Sequence, residues 1–143
     1  MSVKHVPDGY QTVTPYLIVP DAKELIRFVE QAFGATVNIC TSRPDGSIGH
    51  AEVQIGTSRI MLGQSSTEWP PVPAALYLYV EDCDAWYQRA LAVGARSLSE
   101  PATMFYGDRH GGVVDSNGNT WWLATHVEDV SPEEIERRDA ERQ

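Results

Sequence analysis

The sequence predicts an α+β fold built from two tandem βαβββ modules whose mixed sheets form a shared cleft. Three observations lead to this prediction. An internal repeat runs from a strand through an Asp into a helix, and three strand-like segments follow each helix. The length of 143 residues fits one domain and is enough to bury roughly 70% of the unfolded surface.

The repeat pairs residues 14–21, TPYLIVPD, with residues 75–82, ALYLYVED. Each copy ends in an Asp, which can cap a helix by accepting a backbone N–H. An amphipathic stretch follows each Asp and ends at Gly-Ala, at 34–35 and at 94–95. Since glycine readily adopts the left-handed conformation that ends helices, each module is predicted to open with a strand and a helix.

β-like segments separated by turn residues follow both helices, and Asn117-Gly118 marks the last turn. A meander of three strands is therefore expected in each module. The predicted strands are 36–42, 48–55 and 59–62 in the first module, and 96–103, about 110–114 and 120–126 in the second.

Residues 1–130 are predicted to form a single domain. Module one covers about 12–64, a proline-rich linker covers 65–73, and module two covers about 74–127. One helix covers only one face of a four-stranded sheet, so the two modules are expected to combine and to wall a cleft.

A charged C-terminal helix is predicted from residue 131 onward. Ser131-Pro132-Glu133-Glu134 is a capping box with proline at the first helical position. Two interpretations stay open for residues 131–143: a solvated tail, or an arm that packs in a dimer.

Composition argues against nucleic acid and membrane partners. The net charge is -9, whereas nucleic-acid binding depends on clustered Lys and Arg. No segment is apolar enough to span a bilayer, and the N-terminus lacks a signal-peptide pattern, so a cytoplasmic location is expected. Cys40 and Cys83 lie far apart without metal-type spacing, and both are expected to be reduced.

The paired βαβββ arrangement, the internal repeat and the 115–119 turn (DSNGN) resemble the vicinal oxygen chelate superfamily, which contains glyoxalases, bleomycin resistance proteins and extradiol dioxygenases. The resemblance covers Val13 to His126 and implies the fold of these proteins and a homodimer. Within it, three further motifs resemble a PhnB-like glyoxalase branch: 49–52 (GHAE), 106–109 (YGDR) and 124–131 (ATHVEDVS).

The resemblance also shows which positions carry metal ligands in metal-using members: the first and last strands of each module. In this sequence those positions hold Thr14, Ile60, Ala75 and Trp122, with Met61 replacing Ile60 if the count slips by one. None is a strong ligand for a divalent ion. We therefore expect no metal and no cofactor, which counts against metal-dependent glyoxalase, thiol transferase or dioxygenase chemistry.

Alternation along residues 49–56 directs a polar stripe toward the cleft. Its members are His50, Glu52 and Gln54, because the apolar residues between them must pack under the helix. A histidine and a glutamate two residues apart on one strand face can relay a proton or bind the polar edge of a ligand.

Three interpretations of His50 and Glu52 stay open. They pair structurally with each other or with Arg109, they contact a ligand, or they act as a catalytic acid/base pair. A relocated metal site would need His110 or His126 to approach them.

The same alternation places aromatic side chains beside Thr14 in the cleft. Tyr16, Tyr77, Tyr79 and Trp122 are candidates for stacking walls around a flat ligand, or for ordinary packing between the modules.

Two loops supply further candidates. Tyr106 and Arg109 flank a glycine at a predicted loop tip, where binding residues often lie, although an Asp-Arg pair would serve structure equally well. Trp69, in the linker, is interpreted as a lid over the cleft or a dimer contact.

The function predicted from these residues is binding or sequestration of a small planar or aromatic molecule in a metal-free cleft. The alternative is a glyoxalase-type lyase or isomerase that uses His50 and Glu52, or a relocated divalent metal. The sequence does not decide whether the protein is an enzyme.

Overall fold

The computed structural model describes residues 2–143 and confirms two βαβββ modules, each with a four-stranded mixed sheet. The first module contains β1 (Tyr16–Val19), α1 (Ala22–Phe33), β2 (Thr36–Ser42), β3 (Ile48–Ile55) and β4 (Ser58–Gln64). The second contains β5 (Ala75–Tyr79), α2 (Cys83–Ala92), β6 (Arg96–Thr103), β7 (Asp108–Val114) and β8 (Thr120–His126), and α3 (Pro132–Glu141) follows it.

The two sheets have the same topology. Their strand orders are β1-β4-β3-β2 and β5-β8-β7-β6, and the first strand of each module runs parallel to the last. Residues up to Ala74, together with Ser116–Gly118, form one compact unit, and the other residues form a second. Within residues 2–143, no helix is long and apolar enough to cross a membrane.

The predicted helix caps are present. The Asp21 carboxylate accepts a hydrogen bond from the Glu24 backbone N–H at 3.2 Å, and Asp82 does the same for Ala85 at 3.2 Å. Gly34 ends α1 in the left-handed conformation, with φ of 65°. The second helix differs slightly, since it ends at Ala92 and the left-handed Gly94 follows one residue after the cap.

Each sheet has one face covered by its own helix. In the first module Leu25 and Val29 of α1 are buried together with strand residues such as Val53 and Leu62. In the second, α2 contacts β7 and β8, where Trp121 is fully buried. We call the opposite face of each sheet its open face, and strand alternation directs the remaining side chains there.

One position derived from the family resemblance needs correction. Ile55 pairs with Ser58 across a two-residue turn, whereas Val114 pairs with Thr120 across five residues. A count of four residues from the turn glycine therefore reaches positions that differ by one residue between the two modules. Ile60 lies in the core, 5% exposed, and Met61 is the open-face counterpart of Trp122.

The C-terminal helix contacts its own unit. Arg138 donates a hydrogen bond to the Phe105 carbonyl at 2.9 Å and forms an ion pair with Glu128 at 3.0 Å. The Arg142 guanidinium lies 4.3 Å from the centroid of the Phe105 ring. These contacts attach the C-terminal segment to the loop before β7 and to the segment after β8, although no residue of α3 is buried.

The turn between β7 and β8 is held by Asp115, which is almost fully buried. Its carboxylate accepts hydrogen bonds from the Asn119 backbone N–H at 3.0 Å and from the Trp121 indole N–H at 2.8 Å. The DSNGN motif therefore connects a tight turn to the largest core residue of the second module.

We predict that Asp115→Ala lowers the free energy of unfolding by about 2–3 kcal/mol, because it leaves the buried indole N–H of Trp121 without this acceptor. Urea unfolding followed by circular dichroism measures the change. Asp45→Ala is the matched control, since it removes a carboxylate from an exposed turn, and a loss below about 1 kcal/mol is expected. Equal losses in the two variants would contradict this role for Asp115.

Candidate functional site

The open face of the first sheet carries a Tyr-His-Glu chain. The Tyr16 hydroxyl lies 3.0 Å from His50 Nδ1, and His50 Nε2 lies 2.8 Å from a carboxylate oxygen of Glu52. Glu52 is only 9% exposed. His50 and Glu52 thus pair with each other and not with Arg109, and both ring nitrogens of His50 have protein partners.

Gln54, the third member of the polar stripe, contacts its own hairpin. Its amide oxygen accepts a hydrogen bond from Arg59 at 2.8 Å, and its amide nitrogen donates to the Gly56 carbonyl at 3.0 Å. Thr14 lines a neighbouring hollow of about 560 Å³ together with Glu52 and Met61. The N-terminal segment forms much of the wall of that hollow.

A second cavity, of about 520 Å³, lies in the same unit. Tyr16 and Trp69 line it and keep 49% and 60% of their surface exposed. We call it the Trp69 cavity, and its other lining residues are Ile18, Arg43, Gly49, Gly63 and Gln64. Sequence reasoning assigned no role to Arg43, because a lone arginine beside a turn gives no signal of a site.

The open face of the second sheet is organised around Asp108, which is 3% exposed. One carboxylate oxygen accepts hydrogen bonds from the Tyr77 and Tyr79 hydroxyls, at 2.8 and 2.9 Å, and the other lies 2.9 Å from His126 Nδ1. Burial alone would favour the neutral acid, but the hydrogen bonds from His126 and the tyrosines lower the pKa of Asp108.

The partners of Asp108 respond to its charge. Burial and a hydrogen bond to Asp108 raise the pKa of Tyr77. The hydrogen bond that Tyr79 itself makes to Asp108 raises the pKa of Tyr79. Hydrogen bonds to Asp108 and then to Asp129 raise the pKa of His126. Asp108 is not among the site residues predicted from the sequence, although it lies two residues before His110 on the same strand face.

His110 connects the remaining aromatic candidates. Its Nδ1 lies 3.1 Å from both the Tyr77 and the Tyr106 hydroxyls, and its ring centroid is 4.9 Å from that of Trp122. Burial lowers the pKa of His110. A Cβ at Gly112 would lie 2.7 Å from the indole, so this glycine gives Trp122 the space to lie over β7.

The internal repeat extends to side-chain contacts. Tyr16 pairs with Met61 and Tyr77 with Trp122, so the two tyrosines are equivalent. Each hydroxyl reaches across the last strand of its module to the Nδ1 of a histidine on the next strand, His50 on β3 or His110 on β7. The acid is not repeated, because Gly112 occupies the position equivalent to Glu52.

The structure does not bring Arg109 to the open face. Alternation along β7 directs it toward α2, where its guanidinium makes two hydrogen bonds of 2.8 Å to the Asp84 carboxylate. The geometry therefore gives Arg109 a structural partner on the covered face.

The donor set does not fit the divalent metal that metal-using relatives of this fold bind. Thr14, Met61, Ala75 and Trp122 occupy the corresponding strand positions and offer no imidazole, carboxylate or thiolate. Within residues 2–143, no group of three or more His, Cys, Asp or Glu side chains is arranged to hold a metal ion.

Comparison with known proteins agrees with this architecture. The family sequence model of the Glyoxalase/Bleomycin resistance protein/Dioxygenase superfamily matches residues 8–123 of this chain. An uncharacterised protein of Mycobacterium bovis is 33% identical over 135 residues, covering 87% of this chain and 89% of that protein. An uncharacterised protein of Mycobacterium tuberculosis is also 33% identical, with 87% and 79% covered.

Solved structures show the same fold at lower identity. TioX from Micromonospora sp. ML1 has a TM-score of 0.69 and 20% identity, covering 82% of this chain and 99% of its own. A glyoxalase-related enzyme from Fulvimarina pelagi has a TM-score of 0.65 and 19% identity, with 80% and 87% covered. These likenesses establish the fold, while the more specific PhnB-like branch stays a prediction.

We predict that the two histidines of the second open face have pKa values shifted in opposite directions from the ordinary value of about 6.5. The pKa of His126 should lie above this value and the pKa of His110 below it. Because folding raises the pKa of His126, its protonated form adds stability at low pH. That contribution is lost as the pH rises through the folded pKa. NMR titration of the histidine ring protons measures both midpoints.

Asp108→Asn should move the His126 midpoint downward, because the neutral amide no longer favours the imidazolium. Asp45→Asn is the control and should leave that midpoint unchanged. An unchanged His126 midpoint in Asp108→Asn would show that Asp108 does not organise this face.

Proposed function

Because the chain belongs to the Glyoxalase/Bleomycin resistance protein/Dioxygenase superfamily, we propose that it binds a small planar or aromatic molecule in a metal-free cleft. The observation that carries the proposal is the Trp69 cavity, in which two aromatic rings remain about half-exposed. Its volume of about 520 Å³ suits a small-molecule site.

The aromatic character of the cavity indicates the kind of ligand. The face of an exposed indole or phenol ring gains most from a flat, apolar partner. Ile18 adds an aliphatic surface, and Gly63 lets the Gly49 carbonyl and the Tyr16 hydroxyl approach its backbone closely. A planar compound of one to three fused rings is therefore the class of ligand that we propose.

The arrangement of the polar side chains favours binding over metal chemistry. His50 uses both ring nitrogens within the protein, and Glu52 is buried against it. The metal-ligand positions of the fold hold Thr14, Met61, Ala75 and Trp122. Binding without a metal is thus the simplest function for this face.

A second candidate is a lyase or isomerase that works without a metal. The 2.8 Å contact between His50 and Glu52 favours it, because a carboxylate that orients an imidazole is a common acid/base arrangement. His50 would exchange its Tyr16 partner for substrate, since that hydroxyl occupies Nδ1.

We predict that planar aromatic compounds quench the tryptophan fluorescence of the protein in a saturable titration, because Trp69 is 60% exposed at the cavity. Tyr16→Ala should weaken binding by roughly three- to tenfold, which is the change in affinity expected when one aromatic ring contact is lost. Tyr79→Ala removes an exposed tyrosine of the second sheet and should leave the affinity unchanged. The absence of saturable quenching across a broad panel of such compounds would refute the proposal.

Elemental analysis separates the metal-free proposal from a relocated metal site. Protein purified without chelators should contain zinc, nickel and manganese far below one ion per chain, because the described residues offer no cluster of donors. His50→Ala should leave these contents unchanged. One ion per chain that disappears in His50→Ala would establish a metal site and overturn the proposal.

A further inference from the structure

The Trp69 cavity contains one charged side chain, Arg43, and we infer that it selects planar aromatic anions such as aromatic carboxylates. The ring of the ligand would pack against Trp69 and Tyr16, and its anionic group would accept hydrogen bonds from Arg43. The inference rests on the proposed function and adds the charge and the anchor of the ligand.

Arg43 has donors that the protein leaves available. One terminal nitrogen donates to the Gln64 carbonyl at 2.7 Å, and a guanidinium has five N–H donors. Across residues 2–143, no carboxylate lies within ion-pair distance of Arg43. Asp45, the acid nearest in sequence, accepts hydrogen bonds from the Ser47 hydroxyl and backbone at 2.7 and 3.0 Å. These hydrogen bonds, and at longer range the charge of Arg43, lower the pKa of Asp45.

The charge of the residues around the cavity differs from the charge of the chain as a whole. The protein carries 20 acidic and 11 basic residues, yet none of the seven residues that line this cavity is acidic. An anion can gain a charge-assisted hydrogen bond from a partly buried arginine that has no carboxylate within ion-pair distance. The positive charge therefore favours an anionic ligand, in spite of the overall negative charge.

The backbone beneath Arg43 is built to accommodate its side chain. Thr41 pairs with His50 and Ser42 with Ile48, so Gly49 is an extra residue at a bulge in β3. A Cβ at Gly49 would lie 3.3 Å from Arg43 Cγ, closer than ordinary packing allows. Glycine at the bulge thus lets the aliphatic part of Arg43 lie against the strand.

Trp69 is held at the cavity although most of its surface is exposed. The linker that carries it is attached to β1 at both ends, by Ser65 N–H to the Val19 carbonyl at 2.8 Å and Val72 N–H to the Ile18 carbonyl at 3.1 Å. Between these points Ser66 and Trp69 exchange hydrogen bonds of 2.8 and 3.1 Å. The backbone that carries the indole is therefore held beside the cavity.

The test compares two probes of the same shape and different charge, 2-naphthoate and 2-naphthamide, by calorimetric titration of the full chain at pH 7.5 and low salt. The carboxylate should bind roughly tenfold or more tightly than the amide, the value of one hydrogen bond to a charged group. Added salt should reduce this preference.

Arg43→Gln should bring the naphthoate-to-naphthamide ratio to about one and leave naphthamide binding unchanged. Arg43→Lys keeps the charge and should retain part of the preference. Trp69→Ala should weaken both probes by the same factor. Arg59→Gln, the same change at another arginine of this unit, is the matched control and should leave the ratio unaltered. Thermal unfolding checks that each variant is folded.

Equal affinities of the two probes for the wild-type protein would overturn the inference, as would a preference that survives in Arg43→Gln. Binding of neither probe would also overturn it. If neutral planar compounds still quench Trp69 in those cases, the proposed function stands and only the anionic ligand class fails. If Arg43→Gln does not fold, the Arg43→Lys ratio and the salt dependence decide the question.

Discussion

A single helix covers one face of each sheet in this protein, and this constraint determines on which face the side chains of each strand lie. A strand directs alternate residues to opposite faces, so the core claims one set under the helix and the other set is left on the open face. In β3, Val53 packs under α1 while His50 and Glu52 lie on the other side. The apolar core therefore determines where polar and aromatic groups are available for function.

The two modules have kept the same backbone and diverged in their open faces. Both hold a tyrosine hydroxyl against a histidine, but the acid is Glu52 in the first module and Asp108, from the start of the long strand, in the second. Asp108 holds Tyr77 and Tyr79 through hydrogen bonds, whereas Tyr16 forms part of the wall of the Trp69 cavity. The first face is thus better arranged to receive a ligand.

Sequence periodicity predicted the helices, their Asp caps, most strand bounds and the face of His50 and Glu52, because all of these depend on local pattern. The count taken from the family resemblance reached Ile60 where the open-face residue is Met61, its one-residue alternative, because the two hairpins have turns of different length. The partners of Arg109, Arg43 and Asp108 come from elements distant in sequence. Contacts of this kind depend on how the chain folds back, which single-strand alternation does not encode.

The metal-free binding of a planar molecule in the Trp69 cavity can be tested by intermolecular nuclear Overhauser effects between a bound planar aromatic compound and chelator-treated protein. Effects from the Trp69 indole and the Tyr16 ring are expected. Effects confined to the second sheet around Trp122, or binding only after a divalent metal is added, would contradict it.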